Sequence, residues 1–191
     1  MDECIFGLFR SNVRDLEAVS QRDLFLAYRE LVYRYIYLML RDHSLTEDVI
    51  QEGFIKAMEC GPKTKVDSNM KAWLLQVTRR TAIDFIRKNK KYHLIYDLES
   101  VMTYERDELR NSTSEMVEKS VQNELLLESF KELTLNQRVI LMMRYMEGMS
   151  YKEIAKELDI NEDALGKRLE RAKKTLANLF KGKWGEHHEV R

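Results

Sequence analysis

The residues best suited to chemistry lie in SYKEIAKELDINEDALGKRLERAKK, residues 150–174. Stepped at about 100° per residue, Asp163, Lys167, Glu170 and Lys174 fall on one side of a helix, with Arg171 beside them and Arg168 on the flank. Leu165, Leu169, Ala172 and Leu176 fall on the opposite, packed side. Cations so placed suit phosphate oxygens, and a lysine early in such a helix suits base edges in a major groove. Ile154, Ala155, Leu158 and Ile160 form the apolar set just before, with LDI as a tight bend and small Ala155 where two helices would cross. This is the pattern of a DNA-binding helix-turn-helix. Glu162 and Asp163 open its second helix. Two roles are available to them: complementing the positive helix start, worth a few tenths of a kcal/mol each, or, for Asp163, accepting from a cytosine amino group. Gly166 costs about 1 kcal/mol in a helix interior, a cost consistent with close backbone approach to DNA or to another helix.

Charge is arranged in blocks although the chain is formally neutral over 191 residues. Residues 71–91 are basic, with Asp84 the one acid among Lys71, Arg79, Arg80, Arg87, Lys88, Lys90 and Lys91. Residues 97–119 are acidic, and 167–183 are basic again around Glu170. Zero net charge argues against tight autonomous binding to nucleic acid. The four histidines, His43, His93, His187 and His188, have no metal-ligand spacing, and no glycine-rich phosphate loop is present, so enzyme, metal and cofactor chemistry are not expected. Cys4 and Cys60 make no disulfide framework and suit a reducing, cytoplasmic setting. No signal-peptide pattern or membrane-length apolar run is present, so no membrane insertion is expected.

The elements that position these groups read as all-α. One Pro and seven Gly leave few breakers. Residues 22–42 are apolar on nearly every side, as in a bundled helix. Ser44 with Glu47 reads as a capping box for a second helix ending at Gly61-Pro62. A polar loop, KTKVDSN, leads to a third over roughly 69–91, with Met70, Leu74, Val77, Thr81 and Phe85 inside and Arg79, Arg80 and Arg87 on the other side. Periodicity lapses from 92 and returns at 121. Thr134 with Gln137 and Ser150 with Glu153 make further capping boxes, the helix after Thr134 ends at Gly148, and Asn161 caps a last helix to about 180. The expected layout is two small helical domains, 1–94 (a helical bundle) and 121–191 (the helix-turn-helix), joined by an acidic flexible linker over 95–120.

These residues resemble a family. Leu133, Arg138, Glu147-Gly148-Met149-Ser150-Tyr151, Glu153-Ile154-Ala155, Arg168-Leu169 and Arg171-Ala172-Lys173 are similar to the C-terminal DNA-binding domain of extracytoplasmic-function (group IV) sigma factors of bacterial RNA polymerase. Independently, Asp48, Gln51, Glu52, Phe54 and Ala57 resemble the family's core-binding helix, and Trp73-Leu74, Arg79, Asp84, Arg87 and Lys88 its promoter-melting helix. Thr134 replaces a usual Pro, Asp159 a usual turn Gly, and DALGK the commoner Gly-Thr-Val-Lys-Ser. The resemblance implies a sigma factor that docks on core RNA polymerase, recognises two promoter DNA elements and melts the duplex. Docking falls to Asp48, Gln51, Glu52, Phe54 and Ile55, with Phe54 equally readable as core. Melting and the downstream element fall to Lys63, Lys65, Asn69, Trp73, Arg79, Arg80, Arg87 and Lys88, with Trp73 read as core rather than as a stacking platform. The upstream element falls to Ser150, Tyr151, Asp163, Lys167, Arg168, Arg171 and Lys174. Resemblance alone implies an anti-sigma factor as a further partner. The rival reading is a stand-alone helix-turn-helix regulator that binds duplex operator as a dimer.

Overall fold

Every turn of the N-terminal half is set by where its apolar residues point. Helix α1, Ala18–Leu40, buries Leu24, Tyr28, Val32, Ile36, Met39 and Leu40 along one face. Val19 and Leu26 stay 69% and 48% exposed, so α1 is one-sided rather than apolar all round. It ends at Arg41 in the left-handed conformation, φ 58°, and α2, His43–Cys60, follows at once. The expected Ser44–Glu47 capping box does not form. Asp42 takes the cap position instead, its Oδ1 accepting from Leu45 N at 2.8 Å, and Glu47 turns to pair with Arg29 of α1. The connection is too short for Ser44 to lie outside the helix, and an Asp caps as well as a Ser.

Gly61 also differs from expectation: its φ of −55° is helical, not left-handed. It is glycine because Phe9 lies against it, and a Cβ there would meet the Phe9 carbonyl oxygen at 2.1 Å. Gly61–Lys63 continue as a 3₁₀ turn. Helix α3, Met70–Lys88, completes a three-helix bundle. Two 3₁₀ turns before α1, Gly7–Arg10 and Val13–Asp15, close the bundle with buried Phe6, Phe9 and Val13.

The computed structural model describes residues 5–65, 69–88 and 114–189, without side chains at 114–120 and 186–189. All regular elements among them are helices. The chain divides into two units, Met1–Lys90 and Lys91–Arg191. The expected linker lies outside the described residues except at its end, where helix α4, Ser114–Lys131, begins seven residues before 121. Lys90 and Lys91 also lie outside them.

In the second unit both capping boxes form, at Thr134–Gln137 and Ser150–Glu153. Helix α5, Leu135–Leu141, runs into a π-helical turn, Met142–Met146, that nothing in the sequence signalled. Gly148 follows at φ +69°. Arg138 is buried and donates to the Leu133 carbonyl, tying the start of α5 to the preceding turn. Helix α6, Tyr151–Leu158, ends on Asp159 at φ 54°, the left-handed position that a glycine usually fills. Asn161 Oδ1 accepts from Ala164 N at 2.6 Å and starts α7, Glu162–Glu189. Helix α7 runs past the expected end near 180, and Lys183 within it bridges Glu132, the residue after α4, at 2.6 Å.

Candidate nucleic-acid interfaces

Helices α6 and α7 pack through Ile154, Ala155, Leu165, Leu169 and Ala172, all buried, and Leu158, Ile160 and Leu176 are half-buried. That packing turns Asp163, Lys167, Arg168, Glu170, Arg171 and Lys174 outward, and all six are exposed. A surface depression lies on this face, lined by Asn161, Asp163, Ala164, Lys167, Arg168 and Arg171. Its dimensions of charge suit a polyanion edge: three cations and one carboxylate within the first three turns of one helix. Asp163 therefore sits among the cations rather than only at the helix start, which keeps both of its roles open.

The two upstream residues at the start of α6 behave differently. Tyr151 is 39% exposed and available. Ser150 is exposed as well, and its N–H and its hydroxyl both donate to Glu153 Oε2, at 2.8 and 2.7 Å, so it also carries the cap of α6. Those same bonds hold the Glu153 carboxyl below its ordinary range.

In the first unit, α3 buries Met70, Leu74, Thr78, Arg79, Thr81, Ala82, Ile83 and Ile86, and leaves Val77 and Phe85 half-buried. Arg79 was expected among the phosphate-holding cations, but it is only 2% exposed. The true inward face is rotated from the one suggested by the apolar residues alone, because Thr78, Thr81 and Ala82 are small enough to pack inward. Arg79 lies near Tyr35, whose phenol burial pushes up to about 12, with Arg79 holding it back in part. Arg80, Arg87 and Lys88 are exposed. Trp73, read from sequence as core, is half-buried, and with Gln76, Arg80 and Arg87 it follows one helical stripe. A ring beside cations is the arrangement of a stacking platform with phosphate contacts. Lys63, Lys65 and Asn69 are exposed at the preceding loop, and Asn69 Oδ1 starts α3 by accepting from Ala72 N at 3.0 Å. Residues 66–68 of that loop lie outside the described residues.

On α2, Asp48 and Gln51 are exposed and Ile55 is 49% exposed. Glu52 is half-buried and paired with Lys56 at 2.8 Å. Phe54 is no free anchor. It is half-buried and packs against the rings of Phe25, Tyr28 and Phe9 at 5.1, 5.4 and 5.5 Å. Sequence reading missed Phe6 and Phe9, although IFGLF at the start was a visible apolar cluster. It also missed the aromatic patch of Tyr33, Tyr37 and His43, in which Tyr33 Oη and His43 Nδ1 lie 2.6 Å apart and the Tyr37 and His43 rings stack at 4.3 Å.

Two bundles, one with a helix-turn-helix and one with a basic, tryptophan-bearing helix, are each matched by a family model. The Sigma-70 region 2 family model matches residues 24–92, and the Sigma-70, region 4 family model matches residues 123–176. The chain is 30% identical over 158 residues to the ECF RNA polymerase sigma factor SigM of Bacillus subtilis, covering 83% of this chain and 93% of that protein. It is 28% identical over 156 residues to SigX of the same organism, covering 80% and 79%. Among solved structures it is similar to the sigma factor RpoE from Bartonella quintana, in complex with the anti-sigma factor NepR. That match has a TM-score of 0.53 at 20% identity and covers 84% of this chain and 96% of the other, a likeness of fold. The chain belongs to the ECF RNA polymerase sigma factors. No helix among the described residues is long and apolar enough to cross a membrane.

Proposed function

We propose that this chain docks on core RNA polymerase through the outer face of α2, with Asp48, Gln51 and Ile55 at its centre and Glu52 at its edge. Helix α3 then holds opened promoter DNA through Arg80, Arg87 and Lys88, with Trp73 as the stacking ring and Lys63, Lys65 and Asn69 bordering the capture loop. Helix α7 reads an upstream promoter element with Lys167 and Asp163 and grips phosphates with Arg168, Arg171 and Lys174. The factor acts in the cytoplasm, contributes no catalytic group, and is held by an anti-sigma factor; the matched structure, itself a sigma factor in such a complex, supports that last point.

The observation that carries the reading is the face of α7, where buried Leu165, Leu169 and Ala172 turn every cation of the first turns outward. The energetics agree. Zero net charge and a carboxylate within the cationic depression weaken free binding, and attachment to a larger DNA-bound enzyme supplies the missing effective concentration. Purified core polymerase supplemented with the chain should start RNA at a defined set of positions, read by sequencing transcript 5′ ends. Asp48→Arg with Glu52→Arg should abolish both co-purification with polymerase and those starts while the helical fold persists. Transcript starts indistinguishable from those of core polymerase alone would refute the proposal.

A further inference from the structure

Residues 5–15 precede the stretch matched by the Sigma-70 region 2 family model, which begins at 24, yet they hold two of the bundle's buried rings. Phe6 is 3% exposed and Phe9 is fully buried. The Phe9 ring meets core rings of α1 and α2, Tyr28 at 6.0 Å and Phe54 at 5.5 Å. Its backbone does something else. A Cβ at Gly61 would stand 2.1 Å from the Phe9 carbonyl oxygen and 2.9 Å from the carbonyl carbon. The turn Gly7–Arg10 is thus seated, main chain against main chain, on the turn Gly61–Lys63. Filling the core needs only the rings. A backbone seat that excludes even a Cβ fixes position as well, because a main chain cannot swing aside like the end of a flexible side chain.

The turn so held leads into the proposed capture loop. The Thr64 N–H and hydroxyl both donate to the Gly61 carbonyl, at 3.0 and 2.7 Å, so the seat of Gly61 is passed on to exposed Lys63 and Lys65. The same N-terminal segment also adjoins α3. Lys71 Nζ lies 5.8 Å from the centre of the Phe6 ring, in the helical turn that buried Met70 opens. Asn69 caps that turn through Ala72 N. Residues 6–10 therefore sit against both flanks of the loop, the flank bearing Lys63 and Lys65 and the flank begun by Asn69.

We propose that Phe6 and Phe9 are positioning residues for promoter capture: residues 6–10 hold Lys63 and Lys65 at a fixed offset from Asn69, and that offset sets the preference for the captured bases. The proposal rests on the reading that Lys63, Lys65 and Asn69 border the capture loop. Neither ring touches DNA. Fixing both flanks of a short connection removes conformational freedom before DNA arrives, and a site settled in advance tolerates a wrong base less than one that adapts.

The test uses the full chain with core RNA polymerase and a pool of duplex templates built on one start mapped with the unaltered chain. The bases just upstream of that start are randomised, and each template carries a downstream tag that is copied into its transcript. Tag counts give the relative preference among upstream bases, a ratio that does not depend on how much of the factor is folded. A wrong base in a specific site costs roughly 5–150-fold. Phe6→Ala and Gly61→Ala should each reduce the discrimination shown by the unaltered chain by about fivefold or more. Phe6→Leu, which keeps an apolar side chain in place, should retain most of it. Val32→Ala, at a fully buried position of α1, should lower the urea midpoint and leave the preference as it was. Unchanged preference in both Phe6→Ala and Gly61→Ala overturns the proposal even where stability drops, because that pattern marks the segment as core filling. An equal loss of preference in Val32→Ala overturns it too, as does the loss of all transcripts together with the helical signal in both test variants. Failure of the capture reading looks different: the unaltered chain itself would start RNA from the pool with no preference among the randomised bases, and the proposal would fall with it.

Discussion

Gly53 is the residue on which the N-terminal bundle closes, and Gly53→Ala is the sharpest perturbation of it. A Cβ at this position would meet Tyr28 Oη at 2.6 Å and Thr78 Cγ2 at 3.1 Å, so all three helices converge there. Tyr28 Oη and Thr78 Oγ1 lie 2.6 Å apart and are buried. Thr78 Oγ1 already donates to the Leu74 carbonyl at 2.8 Å, which makes Tyr28 the donor of the shared bond. Burial pushes the Tyr28 phenol up, so it keeps that proton throughout the working range of pH. The added methyl must displace the hydroxyl. Overpacking costs about 1–3 kcal/mol, and a buried hydroxyl that loses its partner costs about 1–3 more. Alanine's better helix propensity returns about 1. The net loss is about 3 kcal/mol, or roughly 10–20 °C in melting temperature for a unit of this size. Trp73 and Trp184 are the two tryptophans, so a Trp184→Phe background lets Trp73 fluorescence follow urea unfolding of the first unit alone. Tyr28→Phe by itself should cost only about 1 kcal/mol. In that background Gly53→Ala should become nearly neutral, a coupling of about 3 kcal/mol. Additive losses from the two substitutions would refute the argument, because they would locate the strain somewhere other than the Tyr28 hydroxyl.

Asp159 adopts φ 54° at the α6–α7 turn, so Asp159→Gly should stabilise the second unit by about 0.5–1 kcal/mol; a lower urea midpoint, followed by Trp184 fluorescence, would contradict that. The Glu153 carboxyl is held low by its bonds from Ser150. Its contribution is therefore complete above the ordinary glutamate range and is lost as pH falls through the depressed value. Glu153→Gln should flatten the acid limb of the second unit's stability against pH, and an unaltered limb would remove the cap from that account. Arg79 and Arg80 are neighbours with opposite fates, one buried and one exposed. Arg79→Ala should lower stability of the first unit by about 2 kcal/mol, whereas Arg80→Ala should leave stability within about 0.5 kcal/mol and reduce the salt dependence of binding to single-stranded DNA. Equal stability losses in the two would show that the inward face of α3 is drawn wrongly.

What was legible in the sequence was what local chemistry decides. The caps at Thr134, Ser150 and Asn161 each need one side-chain oxygen three residues before a backbone N–H, and no distant residue competes for them. The face of α7 was equally readable, since its leucines and cations separate cleanly by helical spacing. Where tertiary contacts decide, reading failed. Glu47 was matched to Ser44 because its partner Arg29 lies on another helix. Gly61 does end α2 as read, but not in the left-handed conformation of a terminating glycine, because nothing nearby in sequence announces Phe9 against its Cα. Arg79 passed for a surface cation because Thr78, Thr81 and Ala82 join Met70, Leu74, Ile83 and Ile86 on the inward face of α3 and widen it beyond the large apolar residues. The π-helical turn has no sequence signature at all.

The depression on α7 contains a carboxylate among its cations, and on the proposed reading that acid serves discrimination rather than grip, since a carboxylate repels a wrong edge as firmly as a cation attracts a right one. On the proposed reading, phosphate grip comes from Arg168 and Arg171 at the wall of the depression and from Lys174 a turn further along the same helix. Separating the two tasks has a consequence for a factor delivered by a larger enzyme. Affinity is furnished by the tether, and the recognition helix is free to carry residues that a self-sufficient DNA-binding protein of zero net charge would have to replace with cations.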